Sequence, residues 1–473
     1  MRLSLLCSLF LFAARLSFAA GVADHPDVLA AQRLYEAWME GQMAYRELPG
    51  VVVGVVHDQD LIWSRAFGHA DLDRKTPLTP ASRFRMASHS KLFTAIAIMQ
   101  LREAGKVRLD DPVSQYLPWF KIQPAEPGDP PVRVEELLTH ISGLPREAGP
   151  HWSEKEFPDA GGVRRYVATK QSALPPETRW KYSNLAYTLA GMIVEAVTGE
   201  TWAAYVEKNI FRPLGMTDSS VDQNVPGLAI GYGRRMPDGS RKPMPFVDSR
   251  AMAAATGITS TVGDMARFVS LQFRKGPAGG AQILSTASLR EMHRVRVMET
   301  NWQRGYGIGF SVTREKDKVY VGHGGSYFGY KTHTMIQLDD KVGVIVLTNG
   351  DDSVPSDLAQ HLMQTVGEEV AKAAASAPRP EWDPSWSRFA GLYRGDFGDV
   401  RVVELNRRLV TLDPTGREPG PLSRLIPIGG GRFRLDAATG GGAIGEVVRF
   451  EEQAGRVVRM YTGDSYADRA PGQ

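Results

Sequence analysis

A chain of 473 residues, 42% of them hydrophobic, exceeds one ordinary domain and can bury a large core, so a two-domain globular protein is expected and a disordered chain is excluded. Its 56 basic and 53 acidic residues leave a formal charge of +3, two of which come from Arg2 and Arg15 near the N-terminus; neither a nucleic-acid nor a membrane-surface partner is indicated. The single cysteine, Cys7, excludes a disulfide framework and leaves the chain beyond it without a thiol nucleophile or a cysteine metal ligand.

The first residues, "MRLSLLCSLFLFAARLSFAA", combine a basic Arg2, an apolar stretch from Leu3 to Ala14 and small residues at Ser17 and Ala19. This is the pattern of a secretory leader over 1–19, cleaved after Ala19, and it predicts a periplasmic or secreted protein. The apolar stretch is short for a bilayer, so no integral membrane span is expected in the mature chain. A helix is predicted from Pro26 to Tyr45. "GVVVGVVHDQDLIWSRAFG" then reads as two strands joined at "HDQD".

Two helical patterns follow: "KLFTAIAIMQLREAGKV", apolar on most faces and closed at Gly105, and "NLAYTLAGMIVEAVTG", closed at Gly199. A helix apolar all round belongs inside the fold. Far downstream, "VYVGHGGSYFGYKTHTMIQLDDKVGVIVLTNG" gives at least three more strands, with a turn at Asp339 and Asp340. The sheet therefore draws strands from both ends of a long segment. The predicted fold class is α+β, an antiparallel sheet flanked by helices with a mostly helical insertion. After "AKAAASAPRPEWDPSW" the pattern changes to short alternating strands with glycine turns, the signature of a small β-sandwich or barrel. The expected boundaries are a large domain over 20–375, a linker over 376–383 and a small all-β domain over 384–473.

The chemistry begins at "FRMASHSKLFTA". Ser88 and Lys91 stand three residues apart, where a helix would turn both to one side. An amine among apolar residues loses affinity for its proton and can activate a serine. The competing reading makes Ser88 a helix cap and Lys91 a solvated first-turn residue. In "RWKYSNLAYTLAG", Tyr182 and Asn184 precede a helix; a phenol beside an amine can relay a proton, or Ser183 or Asn184 can simply cap the helix. In "GHGGSYFGY", His323, Gly324, Gly325 and Ser326 lie on or beside a strand, where missing side chains let an acyl oxygen approach the backbone; a plain glycine-rich turn is the alternative.

Ser-x-x-Lys, Tyr-x-Asn and His-Gly-Gly, in that order, resemble the signature of the serine β-lactamase and penicillin-binding-protein superfamily. The Tyr-x-Asn form resembles its class C β-lactamase-like branch, peptidase family S12-type, which holds esterases and D-aminopeptidases. "LLTHISGLP", "IFRPLGMTDS", "ATGITSTVGDMARF" and "YGIGFSV" extend the likeness over about residues 30 to 370. The resemblance implies the β-lactamase/transpeptidase-like fold, with a lipocalin-like barrel as the C-terminal domain. It implies Ser88 as the acylated nucleophile, Lys91 and Tyr182 as the proton-handling pair, and Asn184 as a ligand of the substrate amide or the lysine.

The amides of Ser88 and Ser326 would then form the oxyanion hole, beside Gly324 and Gly325. His140 and Gly143 are assigned to structure, as a helix end. One departure is that His323 and Gly324 stand where the family carries lysine and threonine, which removes a permanent cation for a substrate carboxylate. The implied enzyme is a serine hydrolase of small esters, amides or D-residue peptides, with no cofactor and no metal. A D,D-carboxypeptidase, a β-lactamase or an idle binding module for cell-wall fragments are the alternatives.

Overall fold

The computed structural model describes residues 21–221, 224–315, 318–376, 382–396, 398–404, 408–412, 423–437 and 443–471. The expected leader lies outside them, as do residues 377–381 of the expected linker. The chain divides into two compact units, one ending at Ala375 and one beginning at Ser376.

The larger unit is built on a nine-stranded sheet. Its strands are β1 (Gly50–His57), β2 (Asp60–Asp71), β3 (Thr76–Pro77), β4 (Val297–Met298), β5 (Arg304–Tyr306), β6 (Ser311–Glu315), β7 (Lys318–Tyr327), β8 (Tyr330–Gln337) and β9 (Val342–Thr348). Their spatial order is β3-β2-β1-β9-β8-β7-β6-β5-β4. The valine run of β1 reads as a strand covered on both faces, and it lies inside the sheet, third from one edge. Val52 and Val56 face one core, while Val51, Val53 and Val55 face the other. The predicted hairpin joins β1 to β2 through Asp58, which takes a positive φ of 49°. β1 also pairs antiparallel with β9, Val51 opposite Thr348, so the sheet unites strands from both ends of the segment.

Helix α1 (Pro26–Arg46) and helix α5 (Pro355–Leu362) cover one face, burying Tyr35, Met39, Leu358 and Leu362 against the valines. The other face carries α2 (Ser90–Glu103), α3 (Asn184–Thr198) and α4 (Val262–Phe273) in the larger core. α2 is buried continuously from Ser90 to Met99, as an all-round apolar helix must be. α3 ends where predicted, with Gly199 left-handed at φ 72°. The fold is thus α+β, with the helical segments inserted between the strand sets.

The second unit holds a closed barrel of eight strands between Gly391 and Arg469, in up-and-down order. Closure pairs the first strand with the last, Tyr393 opposite Arg469, which removes both sheet edges. Phe389, Tyr393, Phe433, Val448 and Met460 fill its interior.

Candidate active site

Ser88 sits in a 3-10 turn, Ala87–His89, that leads into α2. The turn is tightly held. Ala87 takes a φ of +50°, a conformation costly for a residue with a Cβ, which persists only where the surroundings impose it. Ser90 Oγ donates to the Ala87 carbonyl at 2.7 Å and accepts from the Ile258 amide at 3.0 Å. His89 is buried, with Nε2 3.1 Å from Thr334 Oγ1 and Nδ1 3.1 Å from Thr332 Oγ1, so it ties the turn to β8. Gly325 of β7 packs directly on the same turn, and a Cβ there would collide with the Met86 carbonyl and the Thr332 hydroxyl.

The helix-cap reading of Ser88 fails on geometry, because no side-chain cap is made at the start of α2. Ser88 instead faces Lys91 and Tyr182. Lys91 Nζ lies 3.2 Å from Ser88 Oγ, and the Tyr182 side chain neighbours the same serine. Lys91 is fully buried, and burial pushes its amine well below the usual lysine range. Its other two neighbours are Asn184 Oδ1 at 2.7 Å and the Ala255 carbonyl at 2.9 Å, both acceptors only. A neutral amine has two N–H donors and one lone pair. The two acceptors take the donors, and the lone pair is left for the Ser88 hydroxyl.

Tyr182 is half-buried, and burial raises its phenol above the ordinary range, so it stands protonated. Lys91 Nζ lies 4.9 Å from the centre of its ring. The ring is propped by His140 at 4.3 Å between centroids, and His140 Nδ1 accepts from the Ser183 amide at 3.1 Å. His140 also ends its own short helix, Val134–Thr139, in a left-handed conformation, so the helix closes at His140 rather than at the expected Gly143. Ser183 makes the cap of α3, accepting from the Ala186 amide at 3.0 Å. That leaves the Asn184 side chain available to Lys91, which decides between the two cap assignments left open by the sequence.

Asn184 Nδ2 donates to Glu147 Oε1 at 2.7 Å. Glu147, absent from the sequence-based set, has a side chain 17% exposed and also meets Arg146 at 3.2 Å and His151 at 3.0 Å. Burial opposes its ionisation, but hydrogen bonds from His151 and Asn184 prevail and hold the carboxyl below its usual range. Nothing local in "LPREAGPHW" marks this role. It exists only because the loop folds back on residues 183–184, with the Asn184 amide donating to the Arg146 carbonyl at 2.7 Å.

On β7, pairing with β6 stops at Gly322 opposite Ser311. From His323 to Tyr327 the strand keeps its β8 partner only, which leaves an open backbone edge beside the serine turn. Gly324 and Gly325 are half-buried and Ser326 is exposed. His323 is 5% exposed, with Nδ1 2.5 Å from the Gly324 carbonyl and Nε2 3.0 Å from the Tyr306 hydroxyl. Burial lowers its pKa to about 3. Its ring is therefore a neutral brace for the strand end and supplies no cation. A cavity of about 500 Å³ opens beside Trp180, Tyr182, Tyr306, His323 and Gly324.

A model of the family described as Beta-lactamase matches residues 35–366. The chain belongs to the Beta-lactamase family. It is 24% identical over 383 residues to Penicillin-binding protein 4* of Bacillus subtilis (strain 168), covering 76% of this chain and 82% of that protein. It is 31% identical over 296 residues to Esterase EstB of Burkholderia gladioli, covering 59% and 71%. Among solved structures, the octameric penicillin-binding protein homologue from Pyrococcus abyssi matches with a TM-score of 0.61 at 24% identity, over 92% of this chain and 99% of that one. The Beta-lactamase family member described here is thus a serine hydrolase with the β-lactamase-like fold and an appended barrel. Among the described residues no cluster suited to a metal ion occurs, and no helix is long and apolar enough to cross a membrane.

Proposed function

We propose that this protein is an exported hydrolase that cleaves small esters, amides or D-residue peptides through an acyl-Ser88 intermediate. The observation that carries the reading is the position of Ser88 Oγ, 3.2 Å from a buried amine whose other two neighbours are acceptors, and beside the Tyr182 phenol. Ser88 attacks the carbonyl carbon while its proton passes to Lys91. The negative charge on the carbonyl oxygen is held by the amides of Ser88 and Ser326, an arrangement that stabilises only the tetrahedral states. Collapse expels the alcohol or amine, which takes its proton from the Lys91–Tyr182 pair. Water then repeats the sequence on the acyl-enzyme and restores Ser88.

The neutral, buried His323 favours uncharged esters and amides over β-lactams, whose carboxylate gains from a cation. The likeness to Esterase EstB supports the same preference. The leader pattern of residues 1–19 supports export to the periplasm or medium. The likeness to Penicillin-binding protein 4* keeps a D,D-carboxypeptidase as the second reading. Intact-mass measurement of the wild type and Ser88→Ala separates these, after exposure to a fluorophosphonate and separately to a penicillin. Phosphonylation that requires Ser88, without stable penicilloylation, is the expected result. A long-lived penicilloyl adduct favours the second reading, and no adduct with either reagent leaves a binding module.

A further inference from the structure

The polar chain of the site does not end at Asn184. Its amide is held on both sides, with Oδ1 2.7 Å from Lys91 Nζ and Nδ2 2.7 Å from Glu147 Oε1. An ionised carboxylate only accepts hydrogen bonds, so Glu147 admits the Asn184 NH₂ and excludes the flipped amide. A flipped Asn184 would turn its NH₂ on Lys91 and compete with Ser88 for the amine lone pair. Glu147 is itself fixed from two further directions: by His151 Nε2 at 3.0 Å and by Arg146 Nε at 3.2 Å. It has no path of its own to Ser88.

We propose that Glu147 is a positioning residue of the hydrolytic site, which locks the Asn184 amide with its oxygen toward Lys91 and sets a negative charge behind the Lys91–Tyr182 pair. This rests on the acyl-Ser88 reading above. The sign of the electrostatic effect follows from the groups around the pair. Glu147 favours the protonated form of both Lys91 and Tyr182, and Arg146 opposes it. Lys181 is tied to the Leu144 carbonyl at 2.8 Å. Tyr187 turns its ring face to Lys91 at 5.7 Å. The histidines that face the pair, His89, His140 and His323, are all held neutral by burial. Removal of the Glu147 charge therefore lowers the proton affinity of whichever group serves as base.

The test is the pH dependence of kcat/KM on a neutral nitrophenyl acetate for the full chain, with the thermal transition of each variant recorded. Glu147→Gln is expected to move the acidic limb down by about one pH unit and to lower the plateau about tenfold. Glu147→Asp keeps the charge but shortens the reach, so its limb stays at the wild-type pH while its plateau falls severalfold. A Glu147→Gln limb coincident with the wild type overturns the proposal, as does a limb that moves equally in Glu147→Asp. Should Glu147→Gln fail to fold, a wild-type plateau in Glu147→Asp overturns it. Ser88→Ala separates the two levels: turnover retained there refutes the acyl-serine reading itself, whereas an inactive Ser88→Ala beside an unaltered Glu147→Gln refutes only the role of Glu147.

Discussion

Acidification from pH 7.5 to 5.5 should strip roughly 3–4 kcal/mol of stability from the hydrolase unit, because it holds several histidines in their neutral form. Burial lowers the pKa of His323 to about 3 and those of His293 and His333 to about 4. In the unfolded chain each returns to about 6.5. Between the two values only the unfolded state binds the proton, so this stabilisation is complete above about pH 6.5 and drains as the pH falls toward the folded pKa. Over the two units each histidine loses about 1.4 kcal/mol, or about 4 for the three, trimmed because His293 and His333 are only half-buried.

His89 and His140, also lowered by burial, add loss of the same sign. The carboxyls of Glu136, Asp264 and Asp351, raised by burial, act in the opposite sense. For a unit of about 350 residues the loss corresponds to about 4–5 °C in Tm. All ten histidines precede the barrel, so the barrel transition lacks this contribution and serves as an internal reference. Scanning calorimetry at pH 7.5, 6.5 and 5.5, at constant ionic strength, measures it. A hydrolase-unit transition that moves by less than about 2 °C would refute the neutral-histidine argument.

Lys91→Met and Tyr182→Phe should each lower the acylation rate by at least about a hundredfold, read as the rate of fluorophosphonate labelling; a rate near wild type removes that residue from proton transfer. Gly325→Ala forces β7 away from the Met86–Ala87 backbone, and about a hundredfold loss of kcat/KM with about 2 kcal/mol of lost stability is expected. Unchanged activity in that variant would show that the spacing between β7 and the serine turn is not critical.

The valine run of β1, the glycine closure of α3 and the return of strands after Lys318 were legible because each is a local pattern of period 2 or 3.6. The same holds for Ser88 and Lys91, which one turn of chain brings together whatever the rest of the protein does. Tyr182 and Asn184 were legible as a motif, with Lys91 as the partner the resemblance implies, but Glu147 and the choice of cap residue were not. Whether Ser183 or Asn184 capped α3 depended on which side chain had somewhere better to point, and Lys91, 93 residues away, supplied that place.

The sequence by itself therefore determined the α+β class, the separate all-β unit and the residue types of the candidate site. Only the tertiary structure decided that His323 pairs with Tyr306, that Gly325 packs on the serine turn, and that Glu147 stands behind Asn184. The physical reason is range. Periodicity and capping act within a turn or two of chain, while burial, charge state and amide orientation are set by groups that meet only when segments far apart in sequence pack together.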